Sequence, residues 1–121
     1  MKFFLVDDDK TVLNLMGRLL EAEGHQVSLS HLAASAILDI AGEAPDCVIT
    51  DLHMFGMDGI ELVQSLKKSP EMQKTKMILV TTSVDDRLLE KAKASGIDAV
   101  IDKSLGYEEF VGLVEAALQD T

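Results

Sequence analysis

The sequence predicts an α/β three-layer sandwich, a central parallel sheet of five strands with helices on both faces. Two observations carry this. Short apolar runs alternate with longer amphipathic segments five times along the chain, the pattern of parallel strands joined by helical crossovers. One run, KMILVTT at residues 76–82, is apolar almost throughout, as a strand covered on both faces must be. At 121 residues the chain is long enough for one domain with a substantial core, and a single domain over residues 1–121 is expected, with no effector domain.

Each element has its own signal. Lys2 to Val6 reads as the first strand. Asp9 can cap a helix from about Lys10 to Glu23, with Val12, Leu15, Met16, Leu19 and Leu20 at helical spacing and Gly24 as its stop. Residues 26–29 form a weak second strand, expected at a sheet edge. A second helix runs through LAASAILDIAG, with Ala33, Ala36, Ile37 and Ile40 on one face. The third strand runs from Cys47 to Thr50 around a core of Val48 to Thr50. Its helix follows from Gly59 to about Lys67, and Pro70 interrupts. After the fourth strand comes DDRLLEKAKASG, with acids in its first turn and Gly96 as its stop. DAVID is the fifth strand. The last helix sets Tyr107, Phe110, Val111, Val114, Ala117 and Leu118 on one face.

Composition narrows the function. Hydrophobic residues make up 47% and charged residues 26%, which fits a folded domain. Acids outnumber bases 21 to 11, a formal charge of −10, which argues against direct binding of nucleic acid or an anionic membrane through a basic patch. The one cysteine, Cys47, excludes an internal disulfide framework and reads as a small core residue. MKFFLVDDD lacks the long apolar region and cleavage site of a signal peptide, so a cytoplasmic location is expected.

In open parallel sheets, ligands bind outside the carboxyl ends of the strands. Those ends are therefore where chemistry should appear. The first strand ends in Asp7 and Asp8, the third in Asp51, the fourth in Thr81 and Thr82, and the fifth in Lys103. Each alone has a commoner explanation as a helix cap, a strand former or a solvated lysine. Together they form a pattern. Three converging carboxylates repel one another unless they share a cation, and an all-oxygen donor set suits a hard ion such as Mg²⁺ or Mn²⁺. An ammonium and a hydroxyl on the same rim complete a cradle for a phosphoryl group.

The chain resembles the receiver domains of bacterial response regulators, the CheY-like family of two-component signalling. The carriers of the resemblance are LVDDD, VITDLHMFGMDG, ILVTT and VIDKS, each at the end of its strand and in order, and the likeness covers essentially the whole chain. It implies a flavodoxin-like (βα)5 fold with strand order 2-1-3-4-5. By this resemblance Asp51 is the phosphoacceptor. Asp8 ligates Mg²⁺ directly, Asp7 acts on it mainly through water, and the backbone carbonyl of His53 is a further ligand. Thr81 is the switch hydroxyl and Lys103 pairs with phosphoryl oxygens. Asp58 is expected only to cap the third helix.

Implied partners are a sensor histidine kinase or a histidine phosphotransfer protein, and downstream a target protein or an effector domain outside this chain. A phosphorylation-dependent homodimer through the face of the fourth helix, fifth strand and fifth helix is also implied. The implied role is that of a phosphoacceptor switch, assisting its own phosphorylation and dephosphorylation, rather than an enzyme.

Four positions depart from the family pattern. Phe55 stands where proline is usual, and Val100 where an aromatic side chain commonly swings inward on phosphorylation. Thr82 is bulkier than the usual residue. Ser104 stands where a proline usually follows the lysine through a cis bond. Before a non-proline residue a cis bond costs about 2.5–4 kcal/mol, which leaves the Lys103–Ser104 bond either trans or strained. The departures at Phe55, Val100 and Ser104 keep a second reading open, a degenerate receiver serving as a phosphorylation-independent docking or dimerisation module. A haloacid-dehalogenase-like phosphatase would need an acid two residues after the nucleophile, where His53 stands. A flavodoxin-type flavin site is disfavoured because DDDK would repel its phosphate.

Overall fold

The computed structural model describes residues 1–119. Strands β1 (Lys2–Val6), β2 (Gln26–Ser30), β3 (Cys47–Asp51), β4 (Lys76–Thr81) and β5 (Ala99–Asp102) alternate with helices α1 (Lys10–Ala22), α2 (Ala33–Glu43), α3 (Gly59–Lys67), α4 (Asp86–Ala94) and α5 (Tyr107–Gln119). Short 3₁₀ turns occupy Pro70–Met72 and Lys103–Leu105. The strands form one sheet in the order β2-β1-β3-β4-β5, and every pairing is parallel. The fold and strand order are those expected.

Side-chain alternation along the strands builds a core on each face of the sheet. Phe3, Leu5, Cys47, Ile49, Ile78 and Val80 pack against Leu13, Met16 and Leu20 of α1 and Phe110 and Val114 of α5. Their neighbours Phe4, Val6, Val48, Met77 and Leu79 point the other way, onto α2, α3 and α4. The three central strands β1, β3 and β4 are buried on both faces, while β2, at the edge, is only half-covered. The thiol of Cys47, wholly buried, is pushed by desolvation up to about 12 and is a core group.

Helix ends follow their caps. Asp9 accepts from the Thr11 and Val12 amides and starts α1. Asp58 accepts from the Glu61 amide while Glu61 accepts from the Asp58 amide, a capping box that starts α3. The α2 helix runs one residue past Gly42 to Glu43 and is capped by Ala44, which turns left-handed at φ 49°. Pro45 explains this end, since a residue before proline is driven out of the helical region. The 3₁₀ turn after α3 is tied down by Lys67, whose Nζ donates to the Met72, Gln73 and Thr75 carbonyls.

Register decides what meets at the carboxyl rim. Val6 lies beside Thr50, Asp51 beside Val80, and Thr81 beside Asp102. The residues that follow these strands therefore rise from the sheet at one level.

Candidate functional site

Asp7, Asp8 and Asp51 converge on this rim, with one carboxylate oxygen from each lying within 4.8 Å of the others. Asp7 and Asp51 are buried and Asp8 is exposed. Lys103 spans the two buried acids, its Nζ lying 3.0 Å from Asp7 Oδ2 and 2.8 Å from Asp51 Oδ1. The ammonium therefore offsets the repulsion between two carboxylates held close together. Asp8 has a separate partner: its Oδ2 accepts from the backbone N–H of Phe55 at 3.2 Å.

Burial and pairing compete at each charge. Desolvation raises the Asp7 carboxyl above its ordinary range, and the nearby Asp51 adds to this, against the Asp9 amide and Lys103, which pull it down. For Lys103 burial pulls the ammonium down, but its hydrogen bonds to Asp51 and Asp7 prevail and the net shift is upward.

Two loops brace the site. Asp7 Oδ1 accepts from the Asp9 amide at 3.0 Å, closing the turn that also presents Asp8. After β3, Leu52 donates its amide to the Val80 carbonyl, and Gly59 donates its own to the Leu52 carbonyl. Gly59 is required here for space: a Cβ would stand 2.3 Å from the Asp51 carbonyl oxygen and 2.8 Å from Leu79 Cδ1. His53 lies in the loop between, its side chain exposed.

Thr81 ends β4 beside the cluster in register and is buried, its Oγ1 accepting from the Ser83 amide at 3.1 Å. Thr82 is exposed. No peptide bond among the described residues is cis, so Lys103 reaches both acids across a trans bond to Ser104. Asp102 holds that corner. Its Oδ1 accepts from the Ser104 backbone N–H at 2.8 Å and from the Ser104 hydroxyl at 2.6 Å, and these bonds lower its carboxyl. Proline, with no N–H, could not make the first of them.

The comparisons with known proteins agree on one family. The model of the response regulator receiver domain matches residues 3–115. This chain is a response regulator receiver domain. As a receiver it is 28% identical over its whole length to the response regulator MprA of Mycobacterium avium, covering 52% of that protein. It is 31% identical, over 98% of its length, to the heme response regulator HssR of Staphylococcus haemolyticus, again covering 52%. The receiver thus spans about half the length of these curated relatives. Among solved structures, the chemotaxis protein CheY4 of Vibrio cholerae matches with a TM-score of 0.90 at 21% identity, covering 96% of this chain and 97% of that one. The BeF3-activated DrrB receiver domain matches with a TM-score of 0.83 at 25% identity, covering 98% and 97%. The receiver belongs to two-component phosphorelay signalling, and the phosphatase and docking-module readings are not favoured. No described helix is long and apolar enough to cross a membrane.

Of the expected site residues, Asp7, Asp8, Asp51 and Lys103 are brought together by direct contacts, and Thr81 by strand register. Two further participants were not foreseen. Asp102 followed two residues later by Ser104 is a cap signature that the sequence carries in plain view. The bond from Phe55 N–H to Asp8 has no such local signal, because its partners are 47 positions apart.

Proposed function

We propose that Asp51 accepts a phosphoryl group from a phosphohistidine on a partner histidine kinase or histidine phosphotransfer protein. The observation that carries this reading is the lysine bridge. Lys103 holds Asp51 and Asp7 at 2.8 and 3.0 Å, in a cluster that also contains the exposed Asp8. A carboxylate oxygen of Asp51 attacks phosphorus in line, the new O–P bond forms as the P–N bond breaks, and the departing imidazole takes a proton from solvent. Lys103 is already within reach of Asp51 and pairs with the incoming phosphoryl oxygens. The hydroxyl of Thr81 leaves the Ser83 amide to meet the acyl phosphate, which transmits the change along β4 and β5 to the partner-binding face.

The donor set fits a hard divalent cation. Three carboxylates supply oxygen ligands within 4.8 Å of one another, and Lys103 neutralises only part of their charge. Asp8 and Asp51 would hold Mg²⁺ or Mn²⁺ directly with the His53 carbonyl, and Asp7 mainly through water. When bound, the cation supplies positive charge against the phosphoryl oxygens.

In this reading the receiver is a switch in the cytoplasm that assists its own phosphorylation and dephosphorylation. Its output passes to a target protein or to an effector domain, without direct contact with nucleic acid or membrane. The α4-β5-α5 face serves that output, including a phosphorylation-dependent homodimer. Radiolabelled acetyl phosphate with Mg²⁺ tests the assignment: wild-type protein takes up label, and Asp51→Asn or chelation of the metal abolishes it. Undiminished labelling of Asp51→Asn would sink the proposal.

A further inference from the structure

We propose that the backbone N–H of Phe55 is a positioning group for the metal site, fixing the Asp8 carboxylate where a divalent cation is taken up. This rests on the reading of Asp8 as a metal ligand. Three facts carry it. Asp8 is the one acid of the cluster that Lys103 does not touch, and it is exposed, so nothing else described confines its rotamers. The Phe55 amide donates to its Oδ2 at 3.2 Å, across 47 positions of sequence. Phe55 is 91% exposed, so the residue acts on the cluster through its backbone and not through packing.

An ionised carboxylate offers about four lone-pair sites on two oxygens, so one N–H leaves Oδ1 and half of Oδ2 free for a cation. The bond therefore orients the ligand without occupying it, as hydrogen bonds to ligating carboxylates do in metal sites. It also sets a partial positive charge against an acid that faces two other carboxylates. Proline at this position has no N–H and would leave Asp8 free to swing into solvent. Phenylalanine gives this receiver a brace that a proline in its place could not supply.

Side chain and backbone are separable by substitution. Phe55→Ala keeps the N–H and removes the ring; Phe55→Pro removes the N–H. Mg²⁺ titration of the metal-free protein by calorimetry, repeated with Mn²⁺ by paramagnetic resonance, reads the affinity without any phosphoryl transfer. Phe55→Ala is expected to bind Mg²⁺ as wild type does, and Phe55→Pro about tenfold more weakly. Equal or tighter binding by Phe55→Pro, or equal weakening in both variants, overturns the proposal. If wild type itself binds no Mg²⁺, the metal-site reading fails first, and the two failures are distinct. Should Phe55→Pro not fold, amide exchange decides instead. The Phe55 amide is protected in wild type and loses that protection in Asp8→Ala; unchanged protection overturns the inference.

Discussion

Asp7 is 1% exposed, and desolvation of its carboxylate costs the metal-free protein stability. Because burial raises its carboxyl, the folded chain holds the Asp7 proton more tightly than the unfolded chain does. Its contribution to stability therefore falls as pH rises from the ordinary 3.8 through the raised value. Asp7→Asn keeps an acceptor for the Asp9 amide and leaves Lys103 paired with Asp51. It should raise the thermal midpoint of the metal-free protein by a few degrees at pH 7 while weakening Mg²⁺ binding. A lower midpoint would show that the Lys103–Asp7 pair outweighs desolvation. For Lys103 the sign is the same, in the alkaline range. Its raised ammonium contributes stability that is complete below the ordinary 10.5 and is lost as pH climbs through the raised value.

At the scale of elements, the site depends on how closely α3 approaches the end of β3. Gly59 is the contact point, with the Asp51 carbonyl in the space a side chain would need. Gly59→Ala forces helix and strand apart against a backbone atom that cannot rotate away, at a cost of about 1–3 kcal/mol. Urea unfolding should show this loss, and the Asp51 and Lys103 amide resonances should shift with it. A change below about 0.5 kcal/mol, the range of a neutral surface substitution, would mean the contact yields easily.

The elements themselves were legible because each has local punctuation: Asp9, Asp58, Gly24, Gly96 and the apolar KMILVTT run. Bounds moved where a neighbour overruled the pattern, as at α2, which ends at Glu43 with Ala44 as its cap before Pro45 rather than at Gly42. The four acid and lysine positions were legible too, because strand ends in a parallel sheet must share a rim. What stayed hidden was contact between distant backbone and side chain. Ser104 read only as a missing proline, whereas it gives Asp102 an N–H and a hydroxyl that fix the corner under Lys103.

For the molecule as a whole, a cation held by the proposed cluster would link metal binding to folding. A cation that binds the folded chain alone stabilises it by about 1.4 kcal/mol for each tenfold excess over its dissociation constant. The thermal midpoint of wild type should therefore climb steadily with Mg²⁺ concentration. Asp8→Asn should flatten that dependence while leaving the metal-free midpoint little changed, since Asp8 is exposed and its one bond can be kept by an amide oxygen. An equally steep climb in Asp8→Asn would place the stabilising cation elsewhere.

The lysine bridge also dates the site within the life of the chain. It joins Asp7 to a residue 96 positions later, and Asp51 to one 52 positions later. A growing polypeptide has made β1 and β3 long before Lys103 exists, and until β5 docks beside β4 the two acids face each other without their cation. Loop closure over such spans is slow compared with local helix formation. On the proposed role of Lys103, competence for phosphoryl transfer would arrive only when β5 has docked.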